Sequence, residues 1–225
     1  MPSLPPLFFD LDGTLADSAG GIASSLDHAI RTVIGAHSVE DWRPFIGPPV
    51  EVCVARALPN LDSALIPVVV REFRRHYDSE GLRMTTAYPD AHDVLAALAA
   101  MGCRSYIVTN KPFHAASAVV AHLGLDRHVR RIVGGDTDFG AGARPEDSKA
   151  DRAARLSVEE GLRGGIFVGD GLDDLHAAER VGARFLLAAW GYGTAGVLAE
   201  RPTAEPLGRL SDLVSRIAAG DAATG

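Results

Sequence analysis

The sequence predicts an α/β protein, a doubly wound parallel sheet that carries an inserted helical subdomain. Three observations lead there. Short apolar runs recur along the chain, helical patterns alternate with most of them, and the gap after the first run is far too long for one crossover helix. The runs at 7–9, 106–108, 131–133, 166–168 and 185–188 are flanked by Gly, Asp or Asn. They are too short for helices and read as strands buried on both faces. Val94, Leu95 and Leu98 mark the apolar face of a helix over 90–101, and further helices are expected over 113–123, 150–162 and 173–181.

The long gap holds two more helical faces. Ile22, Leu26, Ile30, Val33 and Ile34 make one that ends at Gly35, and Leu65, Ile66, Val69, Val70, Phe73 and Tyr77 make another that ends near Gly81. Residues 17–86 are therefore expected to form a helical insert, with 1–16 and 87–225 forming the α/β core. Between the two faces, Pro48 and Pro49 forbid a continuous helix and imply a rigid turn. Residues 218–225 are small and polar enough to be loose. No internal repeat or low-complexity tract is present.

Composition narrows the function. The chain has 225 residues, 47% hydrophobic and 23% charged, which suits one core plus an inserted piece and argues against disorder. A formal net charge of -7 gives no overall attraction to polyanions, so neither nucleic acid nor an acidic membrane surface is expected as a partner. Any anionic ligand must be held locally. Cys53 and Cys103 lack a paired spacing and read as buried free thiols in a reducing compartment. The first ten residues have no basic start, their apolar run is cut at Asp10, and no stretch approaches a membrane span, so a cytoplasmic protein is expected.

Ligands of an open parallel sheet bind beyond the carboxyl ends of its strands, and here those ends are chemically loaded. The first strand runs into Asp10-Leu11-Asp12-Gly13-Thr14, the second into Thr109-Asn110-Lys111, and the fourth into Gly169-Asp170-Gly171-Leu172-Asp173-Asp174. Asp10 and Asp170 brought together would repel by about 4 kcal/mol at roughly 4 Å and an effective dielectric near 20, so a cation must sit between them. Hard oxygen ligands without His or Cys favour magnesium. A carboxylate can also attack phosphorus to give an aspartyl phosphate, provided that positive charge offsets the phosphoryl group. Arg144 and Lys149 precede the fourth strand. Lys149 opens a helical pattern and is a compact charge able to meet both phosphate and carboxylate, so it is preferred over Arg144.

These segments resemble the four motifs of the haloacid dehalogenase superfamily. Asp-x-Asp-Gly-Thr stands at residues 10–14, the Ser/Thr motif is similar to Thr109, the lysine motif to Lys149, and Gly-Asp-x-x-x-Asp to residues 169–174. Leu15-Ala-Asp-Ser18, Ile46-Gly-Pro-Pro49, Tyr88-Pro89, Thr109-Asn-Lys-Pro112 and Trp190-Gly-Tyr-Gly193 resemble its phosphoglycolate phosphatase-like branch. The resemblance implies a Rossmann-like core and turns the insert, 17–86, into a cap over the site. It implies that Asp10 is the nucleophile and that Asp12 protonates the leaving oxygen and then activates water. It implies Mg2+ held by Asp10, the backbone carbonyl of Asp12 and Asp170, and phosphate held by Thr109, Asn110 and Lys149. Asp174 would orient Lys149 or a metal-bound water. The commoner Lys-Pro-x-Pro form of the lysine motif is absent, and Arg144-Pro145 stands in a similar place. The expected ligand is a small phosphate ester, phosphoglycolate first, acted on by a monomer or homodimer. A sugar-phosphate mutase or a silent binding protein on the same fold are the alternatives.

Several of these residues also have blander readings. Asp12-Gly13 precedes a helical insert, not a second antiparallel strand, which argues against a hairpin turn. A calcium loop would need Gly and Glu where Leu15 and Gly21 stand. Asp173 reads as a helix N-terminal residue. The run Gly191-Tyr-Gly193-Thr-Ala-Gly196 matches a dinucleotide fingerprint, but Pro202 follows within two turns, so a turn-rich loop is expected instead. His114 and His176 read as solvated helix residues. Arg43, before the Gly-Pro-Pro turn, is a candidate for a substrate carboxylate as well as an exposed helix-end arginine.

Overall fold

The computed structural model describes residues 4–35, 39–136 and 147–220. The chain enters as β1 (Leu7–Phe9) and leaves the core through β2 (Ala16–Asp17). Three helices follow, α1 (Ala19–Ile34), α2 (Val50–Ala57) and α3 (Ile66–Ser79), before β3 (Thr86–Ala87) returns the chain. The two short strands β2 and β3 pair antiparallel, with Ala16 opposite Ala87, and so gather the two ends of the insert. The remaining elements alternate: α4 (Ala91–Ala100), β4 (Ser105–Val108), α5 (Phe113–His122), β5 (Arg131–Val133), α6 (Lys149–Glu159), β6 (Ile166–Gly169), α7 (Leu172–Val181) and β7 (Arg184–Ala188). They end with α8 (Thr194–Glu200), β8 (Glu205–Leu207) and α9 (Asp212–Ala218).

Six strands form one sheet in the order β5-β4-β1-β6-β7-β8, every pair parallel. β1 is central, and the chain builds outward from it to β4 and β5 on one side and to β6, β7 and β8 on the other. The crevice beside β1 is therefore the switch point at which such sheets take their ligands.

Strand alternation distributes the core between two layers. Leu7, Phe9, Ile107, Ile166 and Val168 face one layer, which extends into the helical insert. Phe8, Tyr106, Val108 and Phe167 face the other, against Ala153, Leu156, Ala177 and Ala178 of α6 and α7. This period of two is why the central strands read as unbroken apolar runs. In the second layer Phe8 stacks between Tyr106 and Phe167, with centroids at 5.9 and 5.8 Å.

Several elements depart from expectation. α8 begins at Thr194 where a loop was expected; it is only 7 residues long and ends before Pro202, so the proline limits the helix without preventing it. β8 carries Pro206 at its centre, which an edge strand tolerates because one side of it faces no partner. α2 starts directly after Pro49, whose fixed φ suits the residue before a helix. α9 buries Leu213 and Ile217, packs on α4 and ends at Ala218, so the tail expected to be loose over 218–225 begins in the last residue of a helix, and its residues 221–225 lie outside the described residues. Both cysteines are free and buried. Among the described residues no helix is long and apolar enough to cross a membrane.

Phe8 has no exposed surface and touches aromatic rings on both neighbouring strands. Phe8→Ala is expected to lower unfolding free energy by about 3–5 kcal/mol in urea denaturation. A loss below 1 kcal/mol would mean that the aromatic stack is not part of the core.

Candidate active site

The loop after β1 is shaped by what it must approach. Gly13 has φ +85°, and a Cβ there would fall 2.6 Å from an Asp170 carboxylate oxygen, so glycine is required both for the turn and for the close approach. From the other side Gly191 leaves equal room, since its Cβ would lie 2.1 Å from that of Asp170. The backbone N–H of Gly193 donates to Asp170 Oδ2 at 2.8 Å, and Thr14 Oγ1 donates to Oδ1 at 3.4 Å. Gly191 and Gly193 of the 191–196 run thus pack against this carboxylate.

Lys149 is the first residue of α6, and that helix start is fixed locally. Ser148 Oγ accepts from the Asp151 N–H, while Asp151 Oδ2 accepts from the Ser148 N–H at 3.2 Å, a reciprocal capping box. From there Lys149 Nζ reaches Asp10 Oδ1 at 2.9 Å and Asp174 Oδ1 at 2.7 Å. The other Asp174 oxygen accepts from the Gly171 N–H at 3.0 Å, tying Lys149 to the start of α7. Arg144, the alternative cation, lies outside the described residues.

Carboxylate oxygens of Asp10, Asp170 and Asp174 lie within 4.8 Å of one another, and all three residues are buried. Burial first, then repulsion from Asp174, pushes Asp10 up to about 7 in spite of Lys149. Burial and the Asp10 charge push Asp170 to about 6, and burial also raises Asp174. Burial alone would lower Lys149, but Asp10 and Asp174 hold it above the ordinary lysine range. Lys149 thus pairs with two of the three carboxylates, and Asp170 has only hydrogen bonds from the Gly193 N–H and Thr14 Oγ1. The chemistry of the donor set, all hard oxygen and short of positive charge, fits a divalent cation of the magnesium or calcium type.

Asp12 stands apart from this cluster. Lys111 Nζ lies 3.0 Å from both of its oxygens, and Ser18 Oγ donates to Oδ1 at 2.6 Å. The same ammonium sits over the Tyr77 ring of α3, 4.7 Å from its centroid. In sequence Lys111 stands out only as part of the Thr-Asn-Lys-Pro string, and its contact with Asp12 appears only in the fold. Tyr192 accepts from the N–H groups of Ser18 and Ala19 and donates to Asp17, and Trp190 donates to the Thr14 carbonyl at 3.2 Å. That aromatic pair holds the point where the chain leaves for the insert.

Asp10, Asp12, Thr109, Asn110 and Lys149 line one cavity of about 550 Å³ between the sheet edge and the insert, which contributes Phe73 and Tyr77. Asp173 lines it as well, and its Oδ2 accepts from Asn110 Nδ2 at 2.7 Å. His114 lies at the cavity, 3.7 Å from Asp78, whereas His176 pairs with Glu200 at 2.8 Å away from it. Arg43 is exposed at the start of a 3-10 turn and does not line the cavity; the structure does not bring it to the other candidates.

Residues 7–188 match the family of haloacid dehalogenase-like hydrolases, and the chain belongs to that family. A phosphoglycolate phosphatase of Pseudomonas syringae is 33% identical over 94% of this chain and 79% of its own length. A 5'-nucleotidase of Pseudomonas aeruginosa is 31% identical over 88% of this chain and 89% of its own. Among solved structures, the protein tyrosine kinase A of Mycobacterium tuberculosis superposes with a TM-score of 0.79 at 29% identity, covering 96% of this chain and 99% of that one.

Burial raises Asp10 and Asp170 above the ordinary 3.8, to about 7 and about 6, so between those values and about pH 4 the folded chain binds protons that the unfolded chain has released. Stability of the metal-free protein should therefore fall as pH rises from about 4 through 7. Thermal melts in chelator at pH 5 and pH 8 are expected to differ by about 5 °C or more, and Asp170→Asn should shrink the difference. A melting point that rises with pH over this window would contradict the assignment.

Proposed function

We propose that the protein is a magnesium-dependent phosphatase that hydrolyses a small phosphate monoester through an aspartyl phosphate on Asp10. The observation that carries this reading is the position of Lys149, which lines one cavity together with Asp10 and bridges Asp10 and Asp174, with an Asp170 oxygen within 4.8 Å of theirs. The named phosphatase and nucleotidase relatives support it.

The insert acts as a cap, and the phosphoryl group sits against Thr109 and Lys149. Asp10 Oδ2, the oxygen that Lys149 does not hold, attacks phosphorus as the bond to the leaving oxygen breaks. Asp12 gives its proton to that oxygen, and the alcohol departs. Asp12, now a carboxylate fixed by Lys111 and Ser18, takes a proton from the water that attacks the aspartyl phosphate. Asp10 is regenerated and inorganic phosphate leaves. Magnesium, when held by Asp10, Asp170 and the Asp12 backbone carbonyl, supplies the positive charge that lets one anion approach another. Asp174 keeps Lys149 in place. Phosphoglycolate is the first substrate to try and nucleoside monophosphates the second, following the names of the relatives.

Phosphate release should fall by at least about a thousandfold in Asp10→Asn and on chelation of metal, with magnesium restoring the chelated enzyme. Asp12→Asn should lose about 10²–10⁴-fold. Wild-type release by Asp10→Asn would end the proposal, and an isomerised ester without free phosphate would point to a mutase.

A further inference from the structure

Among the described residues, Arg152 is a buried cation that the mechanism above does not use. It follows Lys149 by three residues in α6, is 5% exposed and lines the cavity. Its Nη1 donates to the Asp147 carbonyl, and its Nη2 donates to Asn110 Oδ1 at 2.8 Å and to the Thr109 carbonyl at 3.4 Å. Its Nε is buried without an acceptor among the described residues. A side chain that only filled space here would be cheaper to bury if it were apolar, because each unpaired N–H loses its water.

What the guanidinium holds is informative. Asn110 has its amide oxygen on Arg152, and its Nδ2 donates both to Asp173 Oδ2 at 2.7 Å and to the Gly47 carbonyl at 3.2 Å. Both amide hydrogens are therefore committed, one of them to the Gly-Pro-Pro turn of the cap. The sequence suggests Asn110 as a phosphate ligand, but in this arrangement its side chain keeps no donor for phosphate. Its neighbour Thr109 has its carbonyl on the same Arg152, so one cation fixes the loop that faces the phosphate and the amide that meets the cap.

We propose that Arg152 is a positioning residue: it clamps the Thr109–Asn110 loop and, through the Asn110 amide, latches the Gly47 turn of the cap onto the core. The part of Thr109 in phosphate capture rests on the phosphatase reading, whereas the latch itself does not. Pro48 and Pro49 stiffen the segment that receives the bond, so one hydrogen bond to Gly47 restrains a turn instead of a floppy loop.

The test is amide hydrogen exchange on the full-length protein, read in a peptide spanning residues 42–53, where the N–H groups of Phe45, Ile46, Val52 and Cys53 are hydrogen-bonded. In Asn110→Ala this peptide should exchange about fivefold faster, the effect of one lost hydrogen bond, while peptides from the central strands stay unchanged. Affinity for inorganic phosphate with magnesium is read in parallel by calorimetry. Arg152→Met should loosen the peptide as much and also weaken phosphate binding, and the double variant should loosen it no further. If Arg152→Met does not fold, Arg152→Lys, which keeps the charge but loses the second donor arm, must raise exchange in its place. Wild-type exchange in Asn110→Ala, with phosphate affinity down about tenfold or more, would make Asn110 a phosphate ligand and overturn the latch. Additive effects in the double variant would overturn the coupling through Arg152. Should Asp10→Asn release phosphate normally, the phosphatase reading fails while the exchange results still decide the latch.

Discussion

Three buried carboxylates within 4.8 Å of one another would drive the fold apart unless positive charge met them. Lys149 meets two, and the third, Asp170, leans on a backbone N–H and a hydroxyl. This electrostatic demand accounts for much that surrounds it. The capping box at Ser148 sets where α6 begins and so where the ammonium emerges. Asp174 both receives Lys149 and accepts from the Gly171 N–H at the start of α7, so the two helices behind the site are tied through one carboxylate. The residual shortage of positive charge is what makes the cluster suited to a cation and to an anionic reactant, which exploit the same imbalance.

A second cation, Lys111, works at the boundary with the insert. It binds the Asp12 carboxylate and rests on the Tyr77 ring, so the residue proposed as acid and base is in contact, through one ammonium, with the helix that roofs the cavity. Nearby, the Tyr192 hydroxyl accepts from the N–H groups of Ser18, which precedes α1, and of Ala19, its first residue, a task usually left to a Ser, Thr, Asp or Asn side chain. Trp190 and Tyr192 flank the glycine that must be small for Asp170 to fit. A run that looks like a nucleotide fingerprint in sequence is thus explained by packing round a carboxylate and anchoring of the insert.

The strands at 7–9 and 131–133 and the helices built on strong apolar faces were legible because burial on both sides of a sheet, or on one side of a helix, leaves a periodic trace. β8 was not, since an edge strand needs apolar residues on one flank only and here includes Pro206. α8 and α9 were hidden by their length, each 7 residues, too short for a period to be recognised. Among the candidate site residues, Asp10, Asp170, Asp174 and Lys149 are brought together as the sequence suggested, because each stands at the end of a strand or the start of a helix on one edge of the sheet. Lys111 and Arg152 were not legible, because a charge in a loop or on a helix looks solvated until the fold buries it.

Residue order by itself determined the parallel sheet, the place of the insert and the acidic strand ends, since these follow from periodicity and from the rule that such sheets bind ligands at their carboxyl edge. Tertiary structure decided the pairings. Lys149 and Asp10 are 139 positions apart, Lys111 and Asp12 are 99, and nothing local selects one carboxylate over another at such separations. It also decided that Asn110 meets the Gly47 carbonyl of the insert and that Arg43 stays outside the cavity. Partner choice among charges is set by distance and desolvation, and both exist only once the chain has folded.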